Sequence, residues 1–246
     1  MPATIRNILI LLLVFLITAS GIWIYRFKHR EPDPYFHGSS DILIVVDPGH
    51  VASETGVVGR TGVEEKELTL ILSLKLVSLL QQDGFSTMLT RVNNRELSAP
   101  PAGEEYADFD PGLSRRVALA NNNDADIFVS IHVNSFPDPQ IGGAQVFYHA
   151  SSLKGKSLAA SIQREMDKSL VNPGRKIMAE NFFVLRMTKM PSVLVEVGFL
   201  TNPAEEKLLL DENYQDKVVA AIYDGIINYF TDLKTSQGDD SDPPKK

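Results

Sequence analysis

The chain of 246 residues contains no cysteine. Disulfides, thiolate nucleophiles and Cys-type zinc sites are excluded at once, and any metal must be held by His, Asp or Glu. Histidine itself is scarce, at five residues. No G-x-S-x-G stretch occurs, so the nucleophile-elbow route to an acyl-enzyme has no candidate. H-E-x-x-H is missing too, and no internal repeat is visible. Positive charge is in deficit, with a formal net charge of −7. The first thirty residues carry Arg6, Arg26, Lys28 and Arg30 and no acid, which leaves 20 basic against 31 acidic residues in the remainder. An acidic body of this kind argues against nucleic acid as a partner. The apolar and charged fractions, 43% and 22%, are those of an ordinary globular domain.

Only one long hydrophobic run is present. Asn7 to Tyr25 is nineteen residues without a charge, close to the roughly 20 that span a bilayer as a helix. Trp23 and Tyr25 stand at its far end, where interfacial aromatics belong. Thr18-Ala19-Ser20 offers small residues to a signal peptidase, but the run continues past them, which favours an uncleaved anchor. One Arg precedes the segment and three basic residues follow it. Taken alone, that asymmetry puts the body on the cytoplasmic side. The expected organisation is a membrane anchor or signal segment over 1–25, a polar linker over 26–40, one folded domain over 41–232 and a disordered tail over 233–246.

Strand and helix patterns alternate through the domain. "DILIVVD" is a continuous apolar run, as expected of a strand covered on both faces. "EEKELTLILSLKLVSLLQQDG" carries leucines at helical spacing and ends on Gly84. "FSTMLTR", "DIFVSI", "AQVFYH" and "SVLVEVGF" read as strands, and helices are predicted near 113–123, 153–170 and 214–231. Residues 92–112 form a long loop rich in Pro, Gly and acids. The expected class is α/β, a single domain with a mostly parallel twisted sheet flanked by helices, preceded by one N-terminal transmembrane or signal helix.

In such sheets, sites form beyond the C-terminal ends of strands. His50 follows the first strand and His132 follows "DIFVSI". Glu65 opens the helix after the His50 loop, where it also suits the positive end of the helix dipole. Glu196 interrupts the apolar strand "VLVEVGF". A buried carboxylate must be neutralised, paired or near a cation. Zn²⁺ is one such cation, and an ion pair with Arg116 is the other reading. Two imidazoles and a carboxylate make a common catalytic zinc set with one position left for water, and a further glutamate supplies a proton carrier.

"VVDPGH", "EEKELTL", "SIHVN" and "VEVGFLTNP", with "RVALAN" at 116–121, together resemble the zinc-dependent N-acetylmuramoyl-L-alanine amidases of the amidase-3 type, over about 42–230. The resemblance implies that His50, Glu65 and His132 bind Zn²⁺ and that Glu196 is the catalytic base and acid. Glu65 is preferred to Glu64 because it precedes Lys, and Glu67 is expected to face solvent. Asp47 is expected to orient His50, with Arg116 as a further neighbour of the site. Asn134 is expected either to contact substrate or to form a turn. His149 is expected at a strand end on the surface, not as a fourth ligand. Where the family reads Gly-Gly after the first His, this chain has Val51-Ala52, so an altered loop is expected with the ligand kept. The short Ser135–Ile141 stretch leaves no room for an internal plug. The implied substrate is peptidoglycan, cut between the muramic acid lactyl group and L-alanine, outside the cytoplasm. The compact plan is similar to the germination-specific, spore-cortex type, and an activating or metal-loading protein partner is open. The competing readings are a zinc carboxypeptidase-type peptidase and a non-catalytic peptidoglycan-binding module.

Overall fold

A computed structural model of the protein describes residues 5, 7, 11–18, 35–51, 54, 56–93, 109–171 and 174–238. The chain divides into two units, Met1–Pro32 and Asp33–Lys246. In the first, residues 11–18 form helix α1, whose Thr18 hydroxyl donates back to the Val14 and Phe15 carbonyls. Among the described residues no helix is long and apolar enough to cross a membrane. The spanning helix expected over Asn7–Tyr25 is not found among them; residues 8–10 and 19–25 of that segment lie outside the described set, as do most of the linker and of the 92–112 loop.

The second unit is built on a seven-stranded sheet of order β1-β3-β2-β4-β7-β5-β6. Its strands are β1 (Tyr35–Phe36), β2 (Leu43–Pro48), β3 (Ser86–Leu89), β4 (Ile127–Asn134), β5 (Gln145–Tyr148), β6 (Met178–Ala179) and β7 (Ser192–Phe199). The helices are α2 (Glu65–Gln82), α3 (Pro111–Asn122), α4 (Leu153–Ser169), α5 (Phe183–Met187), α6 (Pro203–Leu209) and α7 (Glu212–Gly238). The pairings β2–β3, β2–β4, β4–β7 and β5–β6 are parallel. Those of β1 with β3 and of β5 with β7 are antiparallel. The sheet is thus mixed α/β, with its parallel centre as expected.

The centre is parallel because β2, β4 and β7 are followed or preceded by helices long enough for crossovers. Away from their C-terminal ends these strands are largely apolar on both faces, because both are covered. Ile44, Val46, Val129, Ile131, Val193 and Val195 join Leu68, Leu72, Leu76 and Leu80 of α2 and the buried residues of α4 and α7 in one core. Val45, Phe128, Phe147 and Leu194 point the other way, into a smaller core with α3 and α5.

Helix ends follow local chemistry. The Asp110 carboxylate caps α3 by accepting from Leu113 N–H, and Ser152 caps α4 through Gly155 N–H. α6 was not expected, although Asn202 as cap and Pro203 at the first position are its start signals. α7 continues to Gly238, seven residues past the expected end at 231.

Candidate metal centre

The parallel strands β2, β4 and β7 bring their C-terminal ends to the same side of the sheet. In the parallel register His132 stands beside Glu196, and Gln145 stands directly across from Glu196 on β5. Paired residues point to the same face, so His132, Glu196 and Gln145 form a row across three strands. His50 follows β2, and Glu65 opens α2 beneath it.

Glu65 is the hub. Its Oε2 lies 3.1 Å from His50 Nε2 and its Oε1 lies 3.2 Å from His132 Nδ1. Each oxygen also accepts a backbone N–H, from Val57 at 3.0 Å and from Val133 at 2.9 Å. Burial opposes its ionisation, but the two imidazoles and the Val57 N–H outweigh burial and hold it well below the usual carboxylate range. One donor atom from each of His50, Glu65 and His132 lies within 4.8 Å of the others. The two rings sit edge to face, with centroids 5.0 Å apart. Two imidazoles and an ionised carboxylate converging in this way are a donor set that zinc accepts. The residues fit the ion that the resemblance implies.

Glu196 is partly buried, and its Oε2 is a buried oxygen without a hydrogen-bond partner. Burial, with Glu65's negative charge added, pushes its carboxyl up to about 8. The ion pair with Arg116 that the sequence left open is not formed. Arg116 instead donates 3.0 Å to Asp47 Oδ1.

Asp47 is buried. It accepts from Arg116, from Thr90 Oγ1 and, at 2.6 Å, from Ser130 Oγ. Burial opposes its charge, but Arg116 and the two hydroxyls prevail and lower its carboxyl below the ordinary value. Asp47 therefore reaches His50 indirectly. Arg116 Nη2 donates 2.8 Å to the His50 carbonyl, and Arg116 Nη1 donates 3.2 Å to that of Pro48.

The His50 backbone needs such support, because its φ is +60°, a conformation a non-glycine residue rarely holds. Before it, a Cβ on Gly49 would come within 2.5 Å of the His132 ring, so only glycine lets the two ligands approach. Val51 is buried and bridges to Glu54. Ala52 lies outside the described residues.

Asn134 closes β4, and its side-chain oxygen accepts from Ser135 N–H at 2.7 Å. His149 leaves the opposite end of β5, since Tyr148 pairs with Val193, and it contacts Ser151 Oγ at 2.7 Å. Glu64 pairs with Lys66 and Glu67 is exposed, which sets both apart from the donor cluster.

Sequence reading missed Arg91, Ser130, Thr69 and Gln145. Arg91 is fully buried, and burial together with Arg116's charge pushes its guanidinium down to about 10. Its one visible signal was a charge placed directly after the strand segment "STMLT". Gln145 is held at both ends, donating to the Lys176 carbonyl at 2.8 Å and accepting from Arg175 Nη1 at 3.1 Å.

Comparison with known proteins agrees with this geometry. The amidase-3 family model, described as N-acetylmuramoyl-L-alanine amidase, matches residues 44–228. The germination-specific N-acetylmuramoyl-L-alanine amidase of Bacillus subtilis (strain 168) is 34% identical over 224 residues, covering 90% of this chain and 91% of that protein. N-acetylmuramoyl-L-alanine amidase AmiA of Escherichia coli (strain K12) is 30% identical, covering 82% of this chain and 80% of its own length. Among solved structures, the CwlD amidase from Clostridioides difficile in complex with the GerS lipoprotein matches at a TM-score of 0.70 and 34% identity, covering 78% of this chain and 99% of that one. Matched by the family model over residues 44–228, and by relatives in both sequence and fold, this chain belongs to the N-acetylmuramoyl-L-alanine amidase family.

Proposed function

We propose that the protein hydrolyses the amide between the lactyl group of N-acetylmuramic acid and the L-alanine of the stem peptide in peptidoglycan. The observation that carries this is the His50–Glu65–His132 donor cluster next to the unpartnered Glu196 Oε2, inside the family's matched span. His50, Glu65 and His132 would hold Zn²⁺, which would supply Lewis acidity for the scissile carbonyl and lower the pKa of a water for attack.

The chain's own residues do the rest. Glu65 stays ionised because two imidazoles and two backbone N–H groups face it. In its ionised form Glu196 takes a proton from the attacking water as the carbon–oxygen bond forms. It then gives that proton to the alanine nitrogen as the carbon–nitrogen bond breaks. The products are a glycan strand and a free stem peptide. His132 and Glu196 stand side by side on adjacent strands, so one sheet register aligns a ligand with the proton carrier.

A wall substrate lies outside the cytoplasm, and that is the proposed location. The apolar segment Asn7–Tyr25 is proposed to tether or export the domain. The germination-specific relative supports action on spore cortex. The relative solved with a lipoprotein supports a protein partner in the envelope. The test is digestion of purified peptidoglycan by the whole chain, with and without chelator and added Zn²⁺, read by mass spectrometry. Chelator-sensitive release of intact stem peptides beginning with L-alanine is expected. Release of single C-terminal amino acids would turn the assignment to a carboxypeptidase, and zinc binding with no release would turn it to a binding module.

A further inference from the structure

We propose that Arg91 is a positioning residue that sets the separation of His50 from Glu65; this rests on reading those two side chains as metal ligands. Arg91 leaves the end of β3 and is the bulkiest side chain fully buried in the described protein. Its donors go almost entirely to backbone carbonyls. Nε donates 3.0 Å to Pro48. Nη2 donates 2.9 Å to Gly49, 2.7 Å to Lys66 and 3.0 Å to Thr69 Oγ1. Nη1 donates 3.3 Å to Asn93.

Two of these carbonyls are decisive. Gly49 precedes His50, and Lys66 follows Glu65. A single nitrogen therefore holds the backbone beside one ligand against the backbone beside the other. Thr69 closes the same link, because its hydroxyl also donates 2.8 Å to the Gly49 carbonyl. With Arg116 on the Pro48 and His50 carbonyls, three consecutive carbonyls meet guanidinium donors. They do so where the chain takes the unfavourable φ of +60° at His50. Such a conformation persists only when its surroundings over-determine it.

An arginine is needed here for its planar fork, which reaches several acceptors in fixed directions. A lysine ammonium is a point charge that cannot span Pro48, Gly49 and Lys66 together. A buried cation surrounded by carbonyls is a costly way to brace a loop. Its place between the two ligand-bearing elements supplies the reason for it.

The test compares the whole chain with Arg91→Lys, Thr69→Val and a distant control, Ile162→Ala in the α4 core. Three quantities are read: the zinc dissociation constant by competition with a chromophoric chelator, the visible spectrum of the Co²⁺-loaded protein, and the melting temperature. Arg91→Lys is expected to raise the zinc dissociation constant about 10- to 100-fold and to change the Co²⁺ bands. Thr69→Val is expected to move both readouts in the same direction by less. Ile162→Ala is expected to lower the melting temperature with zinc affinity and spectrum unchanged. If Arg91→Lys does not fold, Thr69→Val decides alone. Zinc affinity and Co²⁺ bands within about twofold of wild type in the folded variants, or an equal loss in Ile162→Ala, would overturn the proposal. A wild-type chain that binds no zinc overturns the metal reading, and the positioning role with it.

Discussion

The two faces of the central strands differ sharply, although the same residues in alternation build both. On the side of α2, α4 and α7, β4 and β7 present Val129, Ile131 and Val133 with Val193, Val195 and Val197, all buried and apolar. On the side of α3 and α5, the intervening positions run Phe128, Ser130, His132 and Leu194, Glu196. One face stabilises the fold. The other spends burial on hydroxyls, an imidazole and carboxylates, and becomes polar toward the C-terminal strand ends. Strand side chains alternate with period two. A slip of one residue would exchange the faces and bury the chemistry in the large core.

The largest break in that contrast is Glu196→Gln. It keeps shape and removes the proton carrier, so turnover on peptidoglycan is expected to fall by about 10²–10⁴-fold, with zinc still bound on metal analysis. Retained turnover would refute the role.

Asp47→Asn acts on the polar face as structure. Removing one partner of a buried pair costs about 3–5 kcal/mol, read by denaturant unfolding. The pH sign follows from the lowered folded-state value. The stabilisation is present above the ordinary Asp range and is lost as pH falls through the depressed value. The variant's acid limb is therefore expected to be flatter than the wild type's.

Leu72→Ala acts on the apolar face. Leu72 is fully buried, so a loss of about 2–5 kcal/mol is expected, while the zinc affinity of the folded protein stays at the wild-type level. A large change in affinity would mean that the two faces are coupled. Lys75→Ala sharpens the baseline. It removes the exposed 2.6 Å pair with Asp216 between α2 and α7, and its effect on unfolding is expected within about 1 kcal/mol.

Much of the site was legible before folding was considered. His50, His132 and Glu196 stood out because each breaks or ends an apolar strand, and local hydrophobic pattern is enough to see that. The roles given to Asp47 and Arg116 changed on folding. Asp47 serves Arg116, and Arg116 serves the His50 carbonyl, because partners 69 residues apart leave no local trace. β1, β6 and α5 escaped because two to five residues carry too little periodicity to register. α6 has its capping signals, but its seven residues add too little periodicity to them.

By itself the sequence determined the absence of cysteine chemistry, the acidic body, the strand–helix alternation and the residue types available for catalysis. These are properties of composition and near neighbours, which the chain carries in any conformation. Only the tertiary structure decided that Glu65 faces both imidazoles, that Arg91 lies buried among carbonyls, and that β5 runs antiparallel beside β7 to set Gln145 opposite Glu196. The reason is that strand order and crossover, not sequence distance, bring those groups within hydrogen-bond reach.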